Sequence, residues 1–291
     1  MIPPRFEYFA PRALDEALSH LQKLGPEAKI LSGGQSLIPM MKLRLASPQY
    51  IVDINGIPNL NYVSEHNGAL RIGALARESD LEVSPIVKSR CRILADTTVV
   101  IADPLVRNQA TVCGNLAHGD PANDHPATML ALRASLIAVS GRGEREIPIE
   151  SFFTGLFETA LKPDEILKEI RVPLPPPSSG GAYLKMERKV GDYATAGVAV
   201  QITLDGAGVC QRAGVGLTNI GFTPLKATKT EAFLTGKMLD DAAIKQASEH
   251  AAGESQPVDD IRGSADYKRD LVRVLTARAL KQALKRAKGG A

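Results

Sequence analysis

Apolar residues first recur at helical spacing at Leu14, Ala17, Leu18, Leu21 and Leu24, and Gly25-Pro26 closes the run. That period puts them on one face and predicts an amphipathic helix. A short apolar stretch at 28–31 predicts a strand that runs straight into Ser32-Gly33-Gly34-Gln35-Ser36. Further strands are predicted at 50–54, ended by Asn55-Gly56, and at 69–75, 135–139 and 166–172. Between them, residues 89–101 read as one helix carrying Ile93, Leu94 and Val100, and Pro126 opens a short helix through Ala131.

The pattern breaks at residues 173–181, where a run of prolines ends in Ser178-Ser179-Gly180-Gly181. Proline removes the donors a strand needs and glycine adds freedom, so the segment reads as a linker. Domains are expected at 1–174, with a subdomain break near 57, and at 178–291. Beyond the linker, 194–204 and 209–217 flank Asp205-Gly206-Ala207-Gly208 as a hairpin, and helices follow at 240–252 and 265–285. Strands and helices mix without strict alternation, which predicts an α+β fold rather than a doubly wound sheet.

Composition narrows the function. Hydrophobic residues are 44% of the 291, enough for buried cores without disulfides. Aromatic residues are only 4%, with no Trp, and the net charge is +3, so a nucleic-acid partner is not expected. Cys91, Cys113 and Cys210 lie too far apart for a zinc ribbon or an iron–sulfur loop. The first residues lack the pattern of a signal peptide, and no apolar run is long enough for a membrane span. A soluble, cytoplasmic protein is expected.

Two glycine-bearing loops carry the candidate chemistry. Gly33-Gly34 after a strand permits positive φ and close backbone approach, and consecutive N–H groups in such a turn form a concave anion site. The spacing is neither a G-x-G-x-x-G fingerprint nor a phosphate loop. The second loop, Thr111-Val112-Cys113-Gly114-Asn115, has polar residues on either side of one glycine. Each alone is an ordinary turn. Asp124 stands at a helix start, where a carboxylate has a capping role. His118, Asp120, Asp124 and His125 do not have the spacing of a metal site. The basic end, Lys281, Lys285, Arg286 and Lys288, complements a helix C-terminus, with docking to a partner as the alternative.

Taken in order, the segments have a counterpart. Residues 29–44 and 107–117 resemble the first and second FAD loops of the medium subunits of carbon monoxide dehydrogenases and related molybdenum hydroxylases; 120–124, 164–167 and 183–185 resemble further segments of the same family. The resemblance implies the two-subdomain FAD-binding fold of the vanillyl-alcohol oxidase and CO dehydrogenase type, followed by a smaller C-terminal α+β domain. It implies noncovalent FAD, with Lys29, Ile30, Leu31, Ser32, Gly33, Gly34, Gln35 and Ser36 clamping it against Thr111, Val112, Cys113, Gly114 and Asn115. Ile101, Asp124, Leu167 and Lys185 would add contacts, and Tyr193 would lie near the isoalloxazine. Cys113 departs from the family, which usually has a second glycine there.

The implied function is electron transfer. A molybdenum-cofactor large subunit would oxidise substrate, a small 2Fe–2S subunit would relay electrons, and FAD here would pass them to an external acceptor in a dimer of heterotrimers. No catalytic side chain and no metal ligand are expected in this chain. A self-sufficient FAD oxidoreductase of the vanillyl-alcohol oxidase type and a nucleotide-binding regulatory module are the alternatives.

Overall fold

The computed structural model describes residues 1–290. The chain opens with β1 (Glu7–Phe9), α1 (Leu14–Leu24), β2 (Ala28–Leu31), α2 (Leu37–Lys42) and β3 (Tyr50–Asp53). The strands pair in parallel in the order β1-β3-β2. Parallel neighbours cannot be joined by a tight turn, so each needs the crossover that α1 or α2 supplies. As its period predicted, α1 buries Ala17, Leu18 and Leu21, in a core shared with Val52 and Ile54.

A second sheet follows. β4 (Val63–His66) and β5 (Ala69–Gly73) form a hairpin across Asn67-Gly68, both at positive φ, 49° and 73°. That is the turn whose twist matches paired strands. Helices α3 (Glu78–Val83), α4 (Pro85–Arg90), α5 (Arg92–Val99), α6 (Pro104–Arg107), α7 (Val112–His118) and α8 (Asp124–Leu132) come next. Strands β6 (Ser135–Ser140), β7 (Gly143–Pro148), β8 (Phe153–Gly155), β9 (Glu158–Thr159) and β10 (Ile166–Pro173) complete this part. The antiparallel sheet has the order β4-β5-β10-β6-β7. The single helix expected over 89–101 is two. Pro85 starts α4, with the Ser84 hydroxyl accepting from Val87 N–H, and Cys91 breaks the run at φ −142°, ψ 64°.

The last part holds β11 (Ser179–Met186), β12 (Ala196–Leu204), β13 (Cys210–Thr218), β14 (Leu225–Lys226), α9 (Thr228–Leu234), α10 (Asp241–Glu254) and α11 (Ala265–Ala287). The strands form an antiparallel sheet in sequence order, with the expected hairpin at its centre. The linker is shorter than its composition predicted, because Ser179-Gly180-Gly181 belong to β11. Those glycines serve packing. A Cβ on Gly180 would strike the Ala283 carbonyl of α11, and one on Gly181 would lie 2.9 Å from Ile93 of α5. On β13, Gly214 and Gly216 meet the Ala131 and Ala127 carbonyls of α8 in the same way. The sheet is thus covered on both faces, and its strands are buried almost throughout. Arg286 stands in the last turn of α11, as expected, and there it also pairs with Asp96 of α5 and donates to the Gly181 carbonyl at 2.6 Å.

Candidate functional site

A cleft of about 860 Å³ runs between the parallel sheet, the central sheet and the β11–β12 connection. Cofactor and small-molecule sites have volumes of about 300–1,000 Å³. The first wall is the turn after β2. Gly34 there has φ 71°, and the N–H groups of Gly33, Gly34, Gln35 and Ser36 find no acceptor among the described residues. Such a run of free donors suits an anion.

The second wall is a helix start rather than a free loop. Thr111 is the N-cap of α7, and its hydroxyl accepts from Gly114 N–H at 3.2 Å. Cys113 therefore has helical backbone, which answers why glycine is dispensable there. Its buried Sγ donates towards the Ile72 and Gly73 carbonyls at 3.8 and 3.6 Å. Burial pushes the thiol well above its ordinary value, so it packs as a small apolar group.

The glycines draw the two walls together. A Cβ on Gly33 would sit 2.6 Å from the Gln109 carbonyl oxygen and 2.8 Å from Thr111 nitrogen; one on Gly114 would sit 3.2 Å from Ser32 Oγ. Without them the Ser32 and Thr111 hydroxyls could not bond at 3.0 Å, as they do. Two residues outside the recognised motifs lock this contact. Arg77 donates to the Gln109 carbonyl and, at 2.7 Å, to Asn55 Oδ1, while Asn55 Nδ2 donates to the Ser32 carbonyl at 2.8 Å. Asn55 was legible only as a strand end, and nothing in the sequence around Arg77 marks it.

Asp124 lies deeper. Asn123, not Asp124, is the N-cap of α8, and no side chain caps that end. The Asp124 carboxylate instead accepts from Tyr183 Oη at 2.5 Å and Lys185 Nζ at 3.1 Å. Burial raises its pKa, against the Lys185 ammonium and the Tyr183 hydroxyl, which both lower it. Lys185 is no exposed strand lysine, since its side chain is 2% exposed. Tyr193 is no core tyrosine either: it stands at the cleft mouth, 44% exposed.

All the predicted site residues line this cleft except Val112 and Lys185. Val112 turns into the core beside Leu116, and Lys185 reaches the cleft through Asp124 and the Asp192 carbonyl. The arrangement fits a dinucleotide cofactor. It offers free donors on one turn, the N-terminus of α7 facing them, Lys29 and Lys162 on the rim, and an unpartnered buried acceptor, Asn115 Oδ1. Among the described residues no group of three or more His, Cys, Asp or Glu side chains is placed to hold a metal. Among the described residues no helix is long and apolar enough to cross a membrane.

Comparison with known proteins agrees with this geometry. Residues 4–175 match the family described as FAD binding domain in molybdopterin dehydrogenase, and 181–283 match the CO dehydrogenase flavoprotein C-terminal domain. The carbon monoxide dehydrogenase medium chain of Hydrogenophaga pseudoflava is 44% identical over 97% of this chain and 98% of its own. That of Afipia carboxidovorans is 40% identical over 99% and 100%. A solved carbon monoxide dehydrogenase from Hydrogenophaga pseudoflava superposes with a TM-score of 0.95 over 98% of this chain and 99% of that one. Quinoline 2-oxidoreductase from Pseudomonas putida, 31% identical, does so with 0.92 over 99% of each. The chain belongs to the FAD-binding medium subunits of the molybdenum hydroxylases, a family of oxidoreductase subunits.

Proposed function

We propose that the cleft holds FAD noncovalently and that the chain is the electron-transfer subunit between an iron–sulfur partner and an external acceptor. The observation that carries the reading is the Ser32–Thr111 contact, which brings two donor-bearing walls into one cleft. The N–H groups of 33–36 and the N-terminus of α7 would bind the pyrophosphate, where free donors and helix dipole favour negative charge. Lys29 on the rim adds a cation. Ile101 and Leu167 present apolar surface; Leu167 stands at the register shift of β10 against β6.

FAD supplies the redox chemistry when bound, and the protein supplies binding, orientation and electrostatics. Lys185 and Tyr183 hold the Asp124 carboxylate at a fixed place in the wall, so it can accept a hydrogen bond without reorganising. Tyr193 limits water at the mouth. No side chain of this chain needs to act as acid or base.

The partners would be a molybdenum-cofactor large subunit and a 2Fe–2S small subunit, in a dimer of heterotrimers in the cytoplasm. Cys91, Cys113 and Cys210 are free and buried, in keeping with a reducing compartment and with iron–sulfur ligands residing on another chain. Relatives of similar length carry the names of carbon monoxide, glyceraldehyde and caffeine dehydrogenases. Substrate choice therefore lies outside this subunit. The purified chain should show a flavin spectrum bleached by dithionite and release FAD as its sole nucleotide on denaturation. A folded chain that takes up no FAD would refute the reading.

A further inference from the structure

Residues 187–195, which join β11 to β12, are held against the cleft mouth from two sides. At the base of the connection, Thr195 N–H donates to the Met186 carbonyl at 2.7 Å. On one side Gly191, at φ 81°, lies so close to the 101–102 turn that a Cβ would sit 2.5 Å from the Ala102 oxygen. That turn is itself fixed. Ala102 has φ 47°, and Arg107 donates to the Ile101 carbonyl at 2.9 Å while pairing with Glu82 at 2.8 Å.

On the other side stands Arg262, from the connection between α10 and α11. Its Nη2 lies 3.2 Å from Asp192 Oδ1, and its guanidinium carbon lies 5.8 Å from the centre of the Tyr193 ring. Asp192 also accepts from Tyr193 N–H at 2.8 Å and Arg188 Nε at 2.9 Å, and its carbonyl accepts from Lys185 Nζ at 2.9 Å. Arg262 is presented on a braced turn. Asp260 accepts from Arg262 N–H at 2.8 Å and pairs with Lys268 of α11 at 2.7 Å. The Lys268 side chain is 1% exposed and also donates to the Val258 carbonyl at 3.0 Å. An ammonium is costly to bury unless its partners are well placed. Here the partners of Lys268, Val258 and Asp260, both lie on the segment that leads into Arg262.

We propose that Arg262 is a positioning residue, latching the 187–195 connection over the cleft through the Asp192 carboxylate and the face of Tyr193. It thereby sets how fast a bound cofactor leaves and how constantly Tyr193 covers it. The proposal rests on the cleft being the FAD site. A guanidinium can form an ion pair and lie over an aromatic ring at once, which an ammonium does less well.

The test uses the full chain with Arg262→Ala, Arg262→Lys and Asp192→Asn. Two quantities are read: FAD release after dilution, followed by the recovery of flavin fluorescence, and trypsin cleavage after Arg188 or Lys189 in FAD-free protein. Arg262→Ala should release FAD about tenfold faster, the change that about 1.4 kcal/mol produces. It should be nicked several-fold faster at the same thermal midpoint, with Asp192→Asn behaving alike and Arg262→Lys falling between. Wild-type release and wild-type nicking in Arg262→Ala would overturn the latch. If that variant does not fold, Arg262→Lys decides: intermediate rates support the latch, and wild-type rates overturn it. Should the chain take up no FAD, the cleft reading falls, while trypsin still decides whether Arg262 holds the connection.

Discussion

Replacing Gly33 with alanine should pry the two walls of the cleft apart. Gly33 does not have a positive φ, so the effect is purely one of space. The new Cβ would lie 2.6 Å from the Gln109 oxygen, 2.7 Å from Ala110 Cα and 2.8 Å from Thr111 nitrogen, all backbone atoms that cannot swing away. The wall must retreat by most of an ångström. Overpacking of this kind costs about 1–3 kcal/mol. The Ser32–Thr111 hydrogen bond, 3.0 Å in the intact chain, would be lost with it, for a further ~0.5–1.5 kcal/mol. A thermal midpoint several degrees lower is expected, together with FAD affinity reduced about 10–100-fold, equivalent to about 1.4–2.8 kcal/mol. Fluorescence titration of FAD-free protein measures the affinity and calorimetry the midpoint. Gly206→Ala is the control, since nothing lies within 4 Å of a Cβ there. Unchanged affinity and midpoint in Gly33→Ala would refute the claim that this glycine joins the walls.

Four further perturbations follow from the structure. Lys185→Met would leave Asp124 buried without its cation and should destabilise the fold by about 3–5 kcal/mol in urea unfolding, whereas the double variant with Asp124→Asn should recover much of the loss. Cys113→Ala should bind FAD within about twofold of wild type, because the residue packs inside α7; Cys113→Gly should cost about 1 kcal/mol in stability, with the same affinity. Thiol reagents should label Cys113 and Cys91 only on unfolding, burial having raised both thiols, Cys91 to about 12. Acid should act through Glu169, where burial raises the carboxyl pKa but Arg71, Tyr62 and Arg171 together bring it below the usual range. A depressed carboxyl stabilises the fold above its unfolded value, near 4.5, and that contribution is lost as pH falls through the folded value. Urea midpoints should therefore drop below about pH 4.5, less steeply in Glu169→Gln.

The elements with a strong period were legible from the residues themselves. α1 needed only five apolar residues on one face and a Gly-Pro stop, and the β12–β13 hairpin only alternation around Asp205 to Gly208. Other elements hid their signal. Asn67-Gly68 is a hairpin turn that isolates β4, a strand too polar to be read by alternation. Gly180 and Gly181 look like linker residues because a sequence cannot show the helix backbone lying on them. The site was legible as order rather than chemistry. Each glycine turn is ordinary alone, and only the succession of segments made them a pair. Arg77 and Asn55, which tie that pair, are hydrogen-bonding residues separated by 22 positions and set by tertiary approach. Thr111 read as a loop residue because α7 is short and its capping hydroxyl has no acidic companion three residues on.

The strand glycines that face α8 have a mechanical consequence. Asp124 begins that helix, and Ala127 and Ala131 lie on bare backbone of β13. Side chains packed between a helix and a sheet can slide by changing rotamer; backbone pressed on backbone leaves nothing to slide. The cleft wall and the C-terminal sheet should therefore move as one solid piece. A partner docked against the C-terminal part of the chain would find the cleft at a constant separation, which an electron crossing between proteins requires more than any single contact.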